Sequence, residues 1–348
     1  MKLKNIDLIN YTIMSKFNTI VVIGATGLVG QEFIKLIKNF FNYSEYKFQL
    51  ISNNYINQTC SLTNIEYQHI DTIDFNKSTI FVNCANTEQA YFIKDRMNND
   101  SIMIDNSSEF RMNSNVPLII PEINWEDFNE YKSNIISNPN CSTIILAILL
   151  NPFIKNNIKI KRIIVSTYQS ASGAGKEGLE ELIMQTKEIL NQEELTIKYW
   201  KQQYIFNTFV HNSPIEDNLY CQEENKLINE TNKIFKTDIG ISPTCIRVPI
   251  LRSHCESVNI EFYEPISYEN IMDLILREPY TLELINNINT HIFPSSISSN
   301  NSHLVQVGHI RPDYSLANNI GWNFWISGDQ LLRGAAYNAF MILQKLII

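Results

Sequence analysis

The chain has 348 residues, of which 44% are hydrophobic and 18% charged, and its formal net charge is −8 at pH 7. These proportions exclude a disordered or collagen-like chain, and the length allows two ordinary domains. The acidic balance, without any block of Lys or Arg, argues against a nucleic-acid partner. The longest aliphatic run, Ile144 to Leu150, is too short to cross a bilayer, and the N-terminus lacks a secretory pattern. We therefore expect a cytoplasmic protein without membrane contact.

The first organised pattern combines a strand, a glycine turn and a helix, after an N-terminal stretch (residues 1–16) that we predict to be an extension. Thr19 to Ile23 is a β-branched run typical of a buried parallel strand. The turn Gly24-Ala25-Thr26-Gly27-Leu28-Val29-Gly30 follows at once, and apolar residues then recur at helical spacing up to Phe40. This order is typical of dinucleotide-binding folds, where glycines admit a pyrophosphate to a helix N-terminus. A glycine turn without a ligand is the alternative.

The end of the second predicted strand, at Ser52, bears on the choice of cofactor. An acidic residue there would bind the ribose 2′-hydroxyl of NAD, and none is present. An Arg would bind the 2′-phosphate of NADP, but Asn53 to Tyr55 follow instead. The missing acid favours NADP and leaves NAD possible, and an ordinary surface loop is the alternative. Short apolar strands at 79–82 and 102–104 continue the α/β alternation.

Cys141 differs from the other cysteines in its neighbours. It follows the turn-forming sequence Ser137-Asn138-Pro139-Asn140 and precedes the apolar run, which we predict to be a buried helix capped by Ser142 or Thr143. A helix N-terminus favours a nucleophilic thiolate, so Cys141 is a candidate catalytic nucleophile. A buried structural cysteine is the alternative. No cysteine pair has the spacing of a metal site, and we expect no bound metal.

Two further segments carry polar groups next to predicted strands. The loop from Ser170 to Gly175 is rich in backbone N–H groups that can cover a cofactor or substrate, with a plain turn as the alternative. Arg247, Arg252 and His254 precede a strand of alternating apolar residues. Two cations beside a histidine predict an anion pocket next to a base. A cation cluster on the surface is the alternative.

Together these segments resemble the aspartate-semialdehyde dehydrogenase family from about Thr19 to the C-terminus. The motifs that carry the resemblance occur in the family's order: Gly24–Gly30, Ile104–Met112, Pro117–Asn124, Asn138–Thr143, Tyr168-Gln169 with Ser172–Gly175, Glu223–Lys226, Cys245–His254 and Trp325–Leu331. The resemblance implies NADP-dependent interconversion of aspartyl phosphate with aspartate semialdehyde and inorganic phosphate. It places this reaction in the biosynthesis of lysine, threonine and methionine.

The resemblance also implies a covalent mechanism. Cys141 matches the family nucleophile, His254 its general acid/base and Gln169 the glutamine that orients the substrate. In the oxidative direction the thiol adds to the aldehyde, hydride leaves for the nicotinamide, and phosphate attacks the resulting thioester. Biosynthesis runs these steps in reverse.

Ligand-binding residues follow from the same motif positions. Arg247 matches the arginine that binds the substrate carboxylate, and Arg111 and Lys226 match the phosphate ligands. Glu223 matches the carboxylate that meets the substrate amine, although a helical surface ion pair is the alternative for Glu223 and Lys226. The residues expected to contact the cofactor are Gly24, Ala25, Thr26, Gly27, Leu28, Val29, Gly30, Ser52, Ser172, Gly173 and Gln330.

We predict an α/β protein with a Rossmann-type, doubly wound parallel sheet in residues 17–140 and an α+β catalytic and dimerisation domain in residues 141–325. Apolar residues at helical spacing after Gly328 predict a C-terminal helix, within residues 326–348, that returns to the first domain. By the resemblance, the second domain forms a homodimer or homotetramer.

Three alternatives remain open. N-acetyl-glutamyl-phosphate reductase shares the architecture, but its cysteine motif reads Gly-Cys-Tyr. Glyceraldehyde-3-phosphate dehydrogenase shares the chemistry with a different cysteine context. A catalytically inactive dinucleotide-binding paralogue is the third, and the joint presence of Cys141, Gln169, Arg247 and His254 argues against it.

Overall fold

The computed structural model describes residues 17–40 and 46–347, so the predicted N-terminal extension lies outside the described residues. The chain forms two compact units. Unit 1 comprises the described residues up to Asn138 together with those from Ala336 onward, and unit 2 is Pro139–Ala335. Across both described ranges, we find no helix with the length and apolar character needed to span a membrane.

The regular elements alternate along the first part of the chain and are mixed in the second. The strands are β1 (Thr19–Ile23), β2 (Lys47–Ile51), β3 (Tyr67–Gln68), β4 (Thr79–Asn83), β5 (Ile102–Asp105), β6 (Ile135–Ser137), β7 (Ile160–Gln169), β8 (Phe209–Val210), β9 (Gly240–Arg247), β10 (His254–Phe262), β11 (Leu282–Leu284), β12 (Val305–Pro312) and β13 (Gly321–Gly328). The helices are α1 (Leu28–Phe40), α2 (Thr87–Lys94), α3 (Pro121–Asn124), α4 (Cys141–Lys155), α5 (Gly175–Asn191), α6 (Gln222–Phe235), α7 (Tyr268–Leu276) and α8 (Tyr337–Ile347).

The six strands of unit 1 form one sheet in the order β3-β2-β1-β4-β5-β6, and every pairing in it is parallel. The central strands β1 and β4 are almost entirely buried. Such continuous apolar runs are needed where helices cover both faces of a sheet. The order, with β1 between β2 and β4, confirms the predicted Rossmann-type, doubly wound sheet.

The C-terminal segment differs from the predicted single helix. A π-helical turn, Leu332–Ala336, precedes α8. The Asp329 side chain accepts hydrogen bonds from the backbone N–H groups of Leu331 and Leu332, and Gly334 N–H reaches back to the Asp329 carbonyl. A bond spanning this many residues widens the turn beyond α-helical geometry. Helix α8 then packs on α1 in unit 1, with the rings of Phe33 and Phe340 6.5 Å apart.

The strands of unit 2 form a mixed sheet in the order β11-β12-β13-β10-β7-β9-β8. The parallel strands β7 and β9 end side by side, where Gln169 pairs with Arg247. The neighbouring strand β10 runs antiparallel to β7 and begins at His254. Three residues predicted at the site are therefore brought to one edge of the sheet by strand direction alone.

Candidate active site

The glycine loop of unit 1 has a backbone conformation and packing that residues with side chains could not adopt. Gly24 has a φ of +72°, a region that favours glycine. A Cβ at Gly30 would lie 2.3 Å from the Gly24 carbonyl oxygen, so only glycine lets the first turn of α1 pack on the loop. Backbone N–H groups at the start of α1 remain without intrahelical partners, as at any helix N-terminus. The loop therefore fits a pyrophosphate of a dinucleotide.

The end of β2 lies beside this loop. The hydroxyl oxygens of Ser52 and Thr26 are 2.9 Å apart, and Ser52 N–H donates to the Gln68 carbonyl. Asn53, Asn54 and Tyr55 are exposed after it. The predicted cofactor contacts from Gly24 to Gly30 and Ser52 are thus brought together in unit 1.

Arg111 also lies in unit 1, where it is buried and donates from Nη2 to the Asn106 carbonyl. Asn106 belongs to a chain of amides at the ends of β5 and β6. The Asn138 side chain donates to Asn106, and Asn338 of α8 donates to Asn138. Sequence reasoning missed Asn338, because nothing in its local pattern indicates a partner some 200 positions away.

Cys141 is the first residue of α4, as predicted, but the capping residue is a different one. The side-chain oxygen of Asn140 accepts hydrogen bonds from the N–H groups of Ser142 and Thr143, at 3.0 and 3.3 Å. Ser142 and Thr143 are therefore the capped residues, which corrects the prediction that either is the cap. Asn is among the preferred N-cap residues because its side chain replaces a missing helical acceptor. Cys141 is partly exposed at this helix end.

Other cysteines are in surroundings that disfavour a thiolate. Burial raises the pKa of the Cys84 thiol to about 12. Burial likewise raises the pKa of Cys221, Cys245 and Cys255. These four thiols stay protonated at neutral pH, including Cys221, which is itself the N-cap of α6. Burial raises the pKa of Cys60 as well, but hydrogen bonds with Tyr67 and Thr63 bring it below its ordinary value. Cys141 differs from the buried Cys60 and Cys221 in combining a helix N-terminus with partial exposure.

Glu223 connects the start of α4 to β7. Its Oε1 accepts hydrogen bonds from Asn140 Nδ2 at 2.9 Å and from Gln169 Nε2 at 3.3 Å, while Lys226 Nζ lies 3.1 Å from Oε2. Gln169 Nε2 also donates to Ser142 Oγ at 3.0 Å. Burial raises the pKa of Glu223, but the ammonium of Lys226, the imidazole of His211 and the Asn140 amide together hold that pKa well below its ordinary value. The carboxylate is charged at neutral pH.

Arg247 is buried and held by three different groups. Its Nη1 donates to the Ser170 carbonyl at 3.1 Å, and its Nε donates to Asn212 Oδ1 at 3.2 Å. The guanidinium also lies over the ring of Trp200, 5.4 Å from the ring centroid. These contacts leave further N–H donors for a carboxylate. Sequence reasoning missed Asn212 and Trp200, whose types carry no local signal for this role, and it named Ser170 only as part of a loop that covers a cofactor or substrate.

His254 is fully buried, and its two ring nitrogens are in different surroundings. Nδ1 accepts a hydrogen bond from Ser170 N–H at 3.1 Å, so in the neutral ring the proton resides on Nε2. Nε2 has no hydrogen-bond partner among residues 17–40 and 46–347. Burial, followed by the charge of Arg247, lowers the pKa of His254 to about 3. The imidazole is neutral at physiological pH and presents a donor.

Gly173 faces both of these side chains. A Cβ at this position would lie 3.1 Å from Cε1 of His254 and 3.2 Å from Nη1 of Arg247. Gly173 is itself exposed. Gly173 therefore packs against both the imidazole and the guanidinium, and a side chain at this position would crowd them.

Ser172 and Gln330, two other predicted cofactor contacts, bind each other. Gln330 Nε2 donates to Ser172 Oγ, and Gln330 Oε1 accepts from Ser253 N–H at 2.7 Å.

The prediction that two arginines form the anion pocket is wrong for Arg252. Its Nε donates to the buried Asp329 carboxylate at 2.8 Å, so only Arg247 of the pair borders His254. Between Phe17 and Ile347, leaving aside residues 41–45, no cluster of His, Cys, Asp and Glu is arranged to hold a metal.

Comparison with known proteins identifies the family. Residues 19–131 match the family model of the semialdehyde dehydrogenase NAD binding domain, and residues 150–333 match that of the semialdehyde dehydrogenase dimerisation domain. The aspartate-semialdehyde dehydrogenase of Synechocystis sp. is 37% identical over 94% of this chain and 97% of its own length. That of Rickettsia conorii is 37% identical over 96% of this chain and 99% of its own.

A solved structure agrees with these relatives. The crystal structure of aspartate semialdehyde dehydrogenase II from Vibrio cholerae complexed with ASA is 33% identical in sequence. It covers 95% of this chain and 98% of its own, with a TM-score of 0.87. The chain belongs to the semialdehyde dehydrogenases, and within them to the aspartate-semialdehyde dehydrogenase family.

Proposed function

We propose that the enzyme converts aspartate semialdehyde and inorganic phosphate reversibly to aspartyl phosphate through a thioester on Cys141. The observation that carries the proposal is the placement of Cys141 as the first residue of a helix whose cap, Asn140, shares Glu223 with Gln169. A helix N-terminus favours a thiolate, and a thiolate adds to an aldehyde without a separate base.

We propose that His254, which the resemblance matches to the family's general acid/base, acts in this chain as a hydrogen-bond donor to the reacting oxygen. With Nδ1 occupied by Ser170 N–H, the Nε2 proton can bond the carbonyl oxygen of the aldehyde and stabilise the oxyanion that forms when sulfur adds. The same donor serves the thioester carbonyl when phosphate attacks and the thiolate leaves. A neutral imidazole with a low pKa is suited to this role, because it donates a hydrogen bond without having to be protonated.

Four charged groups are proposed to bind the substrates. Arg247 holds the carboxylate through its remaining donors, next to Gly173, which also faces the imidazole. Glu223, which is charged, binds the substrate ammonium. Lys226 and Arg111 are the proposed phosphate ligands, supported by their motif positions and, for Lys226, by the partly exposed ammonium next to Glu223.

The proposed cofactor is NADP, with NAD as a possible second. The loop from Gly24 to Gly30 would hold its pyrophosphate, and the absence of an acid at the end of β2 leaves room for a 2′-phosphate. When bound, the nicotinamide exchanges a hydride with the carbon attached to sulfur. Ser172, Gly173 and Gln330 stay proposed contacts by motif position.

The proposed assembly is a homodimer or homotetramer in the cytoplasm. The match of residues 150–333 to a dimerisation domain supports association through unit 2. The composition and the pathway implied by the family support the location.

The test is an assay that follows the phosphate-dependent reduction of NADP, and separately of NAD, in the presence of aspartate semialdehyde. Cys141→Ala should lose at least about 10³-fold in kcat, because removal of a covalent nucleophile eliminates the thioester route. Cys60→Ala, which alters a buried cysteine of unit 1, is the control and should keep wild-type kcat. Undiminished turnover in Cys141→Ala would refute the mechanism, and turnover only with N-acetylglutamate semialdehyde would reassign the substrate.

A further inference from the structure

The π-helical turn before α8 brings a glycine directly against the proposed nucleophile. A Cβ at Gly334 would lie 2.7 Å from the Cβ of Cys141 and 3.1 Å from its Cα. Real Cβ atoms do not approach this closely, and the nearest atoms belong to the backbone and first side-chain carbon of Cys141 rather than to a flexible side-chain end. The main chain at Gly334 therefore packs directly against Cys141, the proposed nucleophile.

One buried carboxylate fixes this turn. Asp329 Oδ1 accepts from the N–H groups of Leu331 and Leu332, both at 3.0 Å, and the Asp329 carbonyl accepts from Gly334 N–H at 3.0 Å. Asp329 Oδ2 accepts from Arg252 Nε at 2.8 Å and from Asn301 N–H at 2.7 Å. Asp329 has no exposed surface. Both carboxylate oxygens of Asp329 are therefore hydrogen-bonded, and these bonds restrict movement of the turn.

The same carboxylate reaches the chain that leads into His254. Arg252 stands two residues before His254, and the intervening Ser253 donates its N–H to Gln330, the residue after Asp329. One short segment, from Asp329 to Gly334, thus contacts the backbone of Cys141 through Gly334 and the entry of β10 through Asp329 and Gln330.

We propose that Gly334 and Asp329 are positioning residues, which together set the position of the Cys141 sulfur relative to His254. Neither touches the substrate or cofactor in this role. Gly334 fixes the sulfur-bearing residue, and the Asp329–Arg252 ion pair fixes the strand entry that carries the imidazole. The inference rests on the proposed role of Cys141 as nucleophile.

The experiment compares three glycine-to-alanine variants that differ in what the new methyl group meets. In Gly334→Ala the new methyl group meets Cys141. Gly321→Ala, at the start of β13, meets Leu316 Cδ1 at 2.6 Å and Asp313 Cβ at 3.0 Å and is a crowded control that does not involve Cys141. Gly240→Ala has nothing closer than 3.8 Å and is the open control. Each is measured for kcat and KM, for its urea midpoint, and for the rate at which iodoacetamide alkylates Cys141, quantified by peptide mass spectrometry.

For Gly334→Ala we expect kcat and the alkylation rate of Cys141 each to change by at least about tenfold, while KM stays within about threefold of wild type. The reason is that displacing a nucleophile by about one ångström can lower the reaction rate by about a hundredfold. Gly321→Ala should lower the urea midpoint and leave alkylation of Cys141 unchanged. Gly240→Ala should change none of the four measured quantities. Wild-type kcat and alkylation in a folded Gly334→Ala variant would overturn the proposal.

A second pair of variants applies if Gly334→Ala does not fold. Arg252→Gln removes the ion pair and should slow alkylation of Cys141 and lower kcat, and Arg252→Lys should restore part of both. Wild-type alkylation and kcat in Arg252→Gln would then reject the proposal. Alkylation is read on Cys141 without turnover, so its outcome is separate from the activity of Cys141→Ala, which tests the thioester mechanism.

Discussion

Arg247 and Glu223 are each held by several protein groups before any ligand binds. Arg247 is fixed by Ser170, Asn212 and the Trp200 ring, and Glu223 is fixed by Asn140, Gln169 and Lys226. A side chain held in one rotamer loses little entropy when a ligand binds to it. We therefore expect the geometry of these two side chains, as well as their charge, to determine how tightly they bind a ligand.

Arg247→Lys tests this expectation at the proposed carboxylate site. An ammonium keeps the charge but cannot make the two-pronged contact or stack on Trp200, so KM for aspartate semialdehyde should rise by about tenfold or more. Steady-state kinetics with saturating phosphate and cofactor would measure it. Arg162→Lys, an exposed change on β7 beside Glu261, is the control and should leave KM unchanged. Equal KM values in Arg247→Lys and wild type would exclude Arg247 as the carboxylate ligand.

Helix α4 is the element on which the proposed nucleophile depends. Every residue from Ser142 to Phe153 is buried, so the helix is surrounded by protein rather than lying on the surface. Its neighbours include β7, β12, β13, α6 and α7 of unit 2. A helix enclosed in this way cannot easily rotate or slide, and the position of its first residue is correspondingly fixed.

Asn140→Ala tests the cap of this helix. Loss of the two bonds to Ser142 and Thr143 should reduce the free energy of unfolding by about 1 kcal/mol. Because the Asn140 amide also holds Glu223, kcat should fall by about tenfold or more as the groups around Cys141 lose their alignment. Urea unfolding and steady-state kinetics provide the two measurements.

The matched control for the cap is Ser267→Ala at the start of α7, where Ser267 Oγ accepts from Asn270 N–H. It should lose a similar amount of stability with unchanged kcat. If both variants lost stability equally and neither lost activity, Asn140 would be a cap without any role in catalysis.

Across the molecule, buried ionisable groups differ in how their charge is compensated. Glu223 has three polar partners and stays charged. Glu256 on β10 is fully buried, and neither of its carboxylate oxygens has a hydrogen-bond partner within the described part of the chain. Burial raises the pKa of Glu256 well above its ordinary value. The carboxyl is therefore a neutral acid in the folded enzyme.

This buried acid predicts a dependence of stability on pH. Above the ordinary Glu pKa the unfolded chain has released this proton while the native state retains it, so the native state binds more protons and stability falls as pH rises. Glu256→Gln removes this contribution. We expect the free energy of unfolding of Glu256→Gln, relative to wild type, to increase between pH 5 and pH 8, as measured by urea denaturation.

Glu264→Gln, a change at an exposed position after β10, is the control and should show no such trend. A difference between Glu256→Gln and wild type that did not vary with pH would mean that Glu256 is ionised in the native state.

Local sequence signals predicted the parts of the structure that depend on neighbouring residues. The β-branched run at Thr19 to Ile23, the glycine turn and the apolar spacing that follows were sufficient for the strand, loop and helix of the nucleotide fold. The turn-forming residues before Cys141 and the apolar run after it correctly placed this cysteine at a helix start. Periodicity and turn chemistry act over a few residues, and a sequence displays them directly.

Tertiary structure alone decided which polar groups meet. Local preference could not separate Asn140 from Ser142 and Thr143 as the cap, because all three are good capping residues. The pairing of Arg252 with Asp329 and of Ser170 with both His254 and Arg247 joins residues about 77 to 84 positions apart. The π-helical turn depends on that same Asp329. Such contacts arise from how strands and loops pack, and the residue types involved fit many other partners equally well, so only the folded chain distinguishes among them.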